Sequence, residues 1–100
     1  MFASATRWSF TSGKEKGDEA YQKMKPIWSS QEGFHSMSMY DITEGPNKGQ
    51  RMTVVRFKDQ KSFDTAREKI TSDREKIIKS LEEKGVKMEE NMRLEEVAGA

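Results

Sequence analysis

The stretch EGFHSMSMYDITEGPNKGQRMTVVRF, residues 32–57, reads as two strands joined by a turn. On an extended backbone His35, Met37 and Met39 point one way, and Phe34, Ser36, Ser38 and Tyr40 the other. EGPNKGQ then gathers two glycines, a proline and an asparagine, the chemistry of a turn. The β-branched run RMTVVRF follows as the second strand, so residues 34–57 form a hairpin with a long loop. Both strands carry apolar groups on two faces. Met52 and Val54 oppose Val55 and Phe57, while Phe34, Tyr40 and Ile42 oppose Met37 and Met39. A sheet covered on one side only is polar on the other, so this hairpin requires cover on both.

Working outward, residues 2–10 also alternate, with Phe2, Ser4, Thr6, Trp8 and Phe10 on one face of a strand. TSGKEKGD breaks it, and Asp18 is placed to cap a helix in which Ala20, Met24, Ile27 and Trp28 share a side. Pro26 removes one backbone donor inside that helix, and Gly33 ends it. After the hairpin, Phe63, Ala66, Ile70, Ile77 and Leu81 recur at helical intervals between Asp59 and Lys84. Ser72 with Glu75 three residues later forms a capping-box pattern, which predicts a break near residues 71–73. The charges from residue 58 to residue 90 read as a solvated face. Gly85 is a stop, and VKMEENMRLEEV is a last strand with Val86, Met88, Met92 and Leu94 on one face.

The order is β-α-β-β-α-β, a ferredoxin-like α+β arrangement expected to occupy residues 1–100 as a single domain. Right-handed crossovers place the first strand and the 51–57 strand at the centre, with the helices on one face of a four-stranded antiparallel sheet. The first three strands carry apolar or small residues on the face the helices leave bare. Packing that face against a second copy is the simplest symmetric cover, so a homodimer with facing sheets is expected.

Composition removes several function classes. The 18 Lys+Arg nearly balance the 17 Asp+Glu, so there is no electrostatic case for nucleic acid. No apolar run approaches the ~20 residues of a membrane span, and MFASATRWSF lacks the basic and apolar regions of a secretory signal. Zero cysteines exclude disulfides and thiolate chemistry, and one histidine makes a metal site improbable. The expectation is a soluble cytoplasmic protein without membrane or nucleic-acid partners.

TSGKEKGDEAYQKM, QEGFHSMSMYDI and MTVVRFKDQKSFDTAREKI together resemble the dimeric α+β-barrel group that includes the antibiotic-biosynthesis-monooxygenase-like proteins. The carrying features are Gly13 before the first helix, Gly33-Phe34 opening the second strand, Phe57-Lys58-Asp59, and Ser62-Phe63 opening the second helix. The likeness spans about residues 5–95. It implies the fold, dimerisation, and a membership that ranges from cofactor-free oxygenases of quinols to haem-degrading enzymes, isomerases and members of no known activity. Haem-degrading relatives carry an Asn on the first strand and a Trp and a His around the second helix. Here the first strand has no Asn, and residues 61–80 hold neither Trp nor His.

Candidate chemistry centres on a few residues. An imidazole is the side chain suited to proton transfer near neutral pH, so His35 is the candidate general base, or else a strand-end histidine that is half exposed or bonded to backbone. Arg56 is a charge inside an apolar strand; it is the candidate anion partner, with Asp41 on the adjoining strand as its own counter-ion. Trp8, Trp28 and Tyr40 are candidate walls of a pocket for a flat ligand. The plainer assignment puts Trp28 between helix and sheet, and Trp8 in the core or the dimer interface. The expectation is therefore a homodimeric barrel binding a small aromatic or enol-type molecule, with cofactor-independent oxygenation as the reaction if it is an enzyme. The alternative is a non-catalytic assembly or regulatory module.

Overall fold

The computed structural model describes residues 1–11 and 13–99. Strand β1 (Phe2–Phe10) leads into helix α1 (Glu15–Ser29). The hairpin is β2 (Phe34–Asp41) and β3 (Arg51–Phe57). Two helices follow, α2 (Gln60–Lys69) and α3 (Thr71–Glu83), before β4 (Val86–Glu95). The sheet order is β2-β3-β1-β4 with every neighbour antiparallel, so β1 and β3 are central as expected. All three helices lie on one face, a ferredoxin-like α+β architecture whose second helix is broken in two.

The core forms where aromatic positions of separate elements converge. Phe57 and Phe63 are fully buried, and Trp28 stacks on Phe63 with centroids 5.5 Å apart while meeting Phe57 edge-on at 5.7 Å. Phe2 and Phe34 complete the cluster against the same two rings. Each buried ring contributes about 2 kcal/mol or more through loss of apolar surface from water. A second, smaller cluster of Ala20, Leu81 and Val86 ties α1, α3 and β4 together at the other end.

Helix termini depart from the sequence reading in two places. Asp18 does not cap α1, which begins at Glu15 without a side-chain cap; its carboxylate instead accepts a hydrogen bond from Arg51. Ser72 does not cap α3 either. The break falls at Ile70, and the Thr71 hydroxyl donates back to the Arg67 carbonyl. Asp59 does cap α2, accepting from the Ser62 N–H at 2.8 Å.

Two bulges change which side chains share a face. In β2, Phe34 pairs with Phe57 but Ser36 pairs with Arg56, so His35 is the extra residue. Phe34 thereby joins Met37 and Met39 on the helix side, and His35 is turned out to solvent. In β4 the partner of Arg7 is Glu90 and that of Trp8 is Met88, so Glu89 is extra. Val86 and Met88 face the helices, whereas Met92 and Leu94, paired with Ala5 and Ala3, turn to the bare face. The strict alternation expected for both strands is corrected by these insertions.

Candidate functional site

The helices do not close fully on the sheet. Between them lies a cavity of about 200 Å³. Its floor is the helix-facing row of the sheet, including Ser4, Thr6 and Trp8 from β1, Thr53 and Val55 from β3, and Met37 and Met39 from β2. Its roof is Tyr21, Met24 and Trp28 of α1, with Phe63, Arg67, Arg74 and Ile77 of the α2–α3 pair. The cavity opens beside β4, because Asn91 and Arg93 line it and yet remain exposed.

Polar groups in this space are held in set orientations. Trp8 Nε1–H donates to Thr53 Oγ1 at 3.0 Å, fixing the indole across the sheet. Asn91 Nδ2 donates to Ser4 Oγ at 3.0 Å, Thr6 Oγ1 at 2.9 Å and the Ala5 carbonyl at 3.3 Å. That contact satisfies two buried hydroxyls and leaves the Asn91 carbonyl oxygen free of these bonds. The Tyr21 hydroxyl donates to the Met37 carbonyl at 3.0 Å and pins α1 over β2.

Four arginines line the cavity, and they are not equivalent. Arg51 donates to Asp18 at 2.6 Å and Asp41 at 2.7 Å, closing the end beneath α1. Burial opposes the Arg51 charge, but the two carboxylates outweigh it and its pKa is raised. Asp41 is correspondingly held below the usual carboxylate range, first by its bond from Arg51 and then by Lys14. Arg93 pairs with Asp64 at 3.2 Å and lies over the Phe63 ring. Arg67 and Arg74 make no ion pair among the described residues; they reach only Thr71 Oγ1 and Met88 Sδ. Burial, and secondarily the like charge of Arg67, push the Arg74 pKa down to about 10.

Of the residues singled out in the sequence, the structure brings Trp8 and Trp28 to this cavity. It places the other three elsewhere. His35 projects from the edge-strand bulge, and its Nδ1 lies 3.0 Å from Ser36 Oγ. Arg56 and Tyr40 lie on the bare face of the sheet. There Arg56 donates to Ser38 Oγ at 3.2 Å, Ser36 Oγ at 3.5 Å and Tyr40 Oη at 3.3 Å. The Tyr40 pKa is lowered, first by its hydrogen bond from Arg56 and then by one with Ser38. Asp41 is not the counter-ion of Arg56, since it is engaged by Arg51 and Lys14. His35, Arg56 and Tyr40 thus form a connected polar patch, separated from the cavity by the sheet itself.

The sequence reading missed Asn91, Arg67 and Arg74. Arg67 and Arg74 follow Phe63 and Ile70 by four residues each, so their spacing put them on the apolar stripe rather than on the solvated face.

No family model and no curated protein matches the chain. Solved structures do. SnoaB, a cofactor-independent oxygenase from Streptomyces nogalater, is similar with a TM-score of 0.75 at 10% identity, over 98% of this chain and 94% of that one. A candidate antibiotic biosynthesis monooxygenase from Deinococcus radiodurans is similar with a TM-score of 0.77 at 12% identity, over 100% and 96%. A dimeric ferredoxin-like protein from an uncultured marine organism has a TM-score of 0.75 at 20% identity, over 99% and 97%. The likeness is therefore one of fold. It bears out, at that level, the resemblance to the antibiotic-biosynthesis-monooxygenase-like and dimeric ferredoxin-like proteins.

Proposed function

We propose that the protein is a homodimer whose helix–sheet cavity binds a small aromatic or enol-type molecule. The observation that carries this reading is the cavity itself: about 200 Å³, walled by Trp8, Trp28 and Phe63, with oriented hydroxyl, amide and guanidinium groups among apolar side chains. Such a mixture of apolar walls and few convergent polar groups suits a flat ligand with one polar edge. Solved structures of the same fold include a cofactor-independent oxygenase, which makes oxygenation of an electron-rich enol or phenol the reaction class to test first.

Dimerisation rests on the bare sheet face. Ala3, Ala5, Val54, Met92 and Leu94 share it with Ser36 and Ser38, and Leu94 and Tyr40 are each about half exposed. The chain exposes 6339 Å², against about 5,800 Å² expected for a compact monomer of its mass. A second copy laid sheet to sheet would cover that excess, and one of the similar structures is described as dimeric.

A second reading is supported by one feature. No carboxylate or imidazole is among the described residues that line the cavity, which leaves the Tyr21 phenol, already donating to the Met37 carbonyl, as its ordinary acid/base group. A binding module without catalysis, or an enzyme whose substrate arrives already ionised, accounts for that equally. Oxygen uptake with a panel of quinols and enols separates them. Turnover that falls when Trp28→Ala or Asn91→Ala is introduced supports the enzyme. Saturable binding without oxygen uptake supports the binding module, and absence of any binding removes both.

A further inference from the structure

The four cavity arginines divide by partner. Arg51 holds two aspartates and Arg93 holds one, so each brings its own neutralising charge. Arg67 and Arg74 make no ion pair among the described residues. They sit on either side of the α2–α3 break at Ile70, seven residues apart, and both point into the same cavity. Arg74 loses solvation there and feels the like charge of Arg67, two effects that oppose its charged form and that the neighbouring Glu75 offsets only in part. A cationic pair kept partly buried with no carboxylate in direct contact is unfavourable in the empty protein and becomes favourable when an anion enters.

We infer that the cavity is specific for a carboxylate-bearing aromatic or enol-type anion, with the carboxylate gripped by Arg67 and Arg74. The inference rests on the ligand-binding reading above and narrows it to one chemical class. A guanidinium offers two parallel N–H donors that match the two oxygens of a carboxylate, and charge-assisted bonds of this kind are the strong ones. A fully ionised phosphate would bring a second charge and a larger hydration shell into a space walled mainly by Trp, Phe and Met, which favours the carboxylate. The flat remainder of the ligand extends from this end toward Trp8, whose indole nitrogen is already occupied by Thr53 and offers only its apolar face.

The test uses 2-naphthoate and methyl 2-naphthoate, which share a ring system and differ in the charge. Titration calorimetry on the wild-type protein is expected to show the acid binding at least about tenfold tighter than the ester, as befits a buried charge-assisted pair. Arg67→Met and Arg74→Met are each expected to abolish that preference while ester binding persists. Arg74→Lys keeps the charge without the fork and is expected to retain part of it. Equal affinity of wild type for acid and ester would overturn the carboxylate assignment and leave the cavity reading standing. A preference undiminished in folded Arg67→Met and Arg74→Met would place the anion elsewhere and overturn it too. Binding of neither probe would overturn both readings. The wild-type comparison requires no variant, so a variant that fails to fold does not remove the test.

Discussion

Arg74 is the residue whose chemistry is least explained by folding alone. It sits at a helix start, where cations are disfavoured by the helix dipole, and its guanidinium finds a thioether rather than a carboxylate. Replacement by methionine keeps a flexible, unbranched stem and removes the charge. Arg74→Met is expected to stabilise the ligand-free protein by about 1 kcal/mol, a Tm rise of roughly 4–8 °C for a domain of this size. A fall in Tm by calorimetric melting would show that the charge is compensated within the fold. Asp59 is the opposite case, a charge placed where it helps. Its pKa is lowered, chiefly by the bond from the Ser62 backbone N–H. A carboxylate lowered in the folded state stabilises above its unfolded pKa and loses that contribution as pH falls through the folded value. Asp59→Ala should therefore lower Tm at neutral pH, and the deficit should narrow below the ordinary carboxylate range. Asp59→Asn, which still caps, should retain most of the stability at neutral pH.

Among the elements, the bulges decide what the strands do. The sequence showed where β2 and β4 begin and end to within two residues, because turn glycines and apolar runs bound them. It did not show their faces. One inserted residue reverses the side of everything beyond it, and an alternating pattern carries no mark of the insertion. β4 illustrates this: Val86, Met88, Met92 and Leu94 are all even-numbered, yet Glu89 splits them between opposite faces. β2 did hold a clue, since Phe34 was a wholly apolar ring next to Ser36 and Ser38 on its expected face. Loops are easier to read. Gly33 opens β2 at φ +86°, and a Cβ there would come within 2.7 Å of the Ser62 Cβ at the start of α2. Its carbonyl also accepts from the Lys58 N–H at 2.9 Å, so the turn joins β2, β3 and α2. Gly33→Ala is expected to cost about 2 kcal/mol, seen as a lower denaturation midpoint with an unchanged slope. A variant as stable as wild type would show that the turn relaxes freely.

At the level of the whole molecule, the sheet has two different jobs on its two sides. Its helix face carries the cavity, and its bare face carries the apolar rows that call for a second copy. Arg7 lies on that bare face, paired across to Met52 and Glu90. Its Nε is buried 3.5 Å from Glu90 Oε1, near enough for ion pairing but not aligned for a hydrogen bond. Central on the face is Val54, paired across to Ala5 and Ser38. Val54→Asp places a charge where the partner sheet would lie. Light scattering should then report a monomer, against a dimer for wild type, with the far-ultraviolet dichroism unchanged. A monomeric wild type at micromolar concentration would contradict the facing-sheet arrangement.

We propose that ligand binding belongs to the helix–sheet cavity and not to the His35 patch across the sheet. The chain has two tryptophans, Trp8 and Trp28, and both line that cavity. Titrating ¹⁵N-labelled protein with 2-naphthoate and following the indole N–H resonances tests the claim directly. Binding in the cavity should give saturable shifts of both indole signals and of the Asn91 side-chain amide, with the His35 backbone amide unmoved. Shifts confined to His35, Tyr40 and their neighbours, with both indoles unchanged, would contradict it.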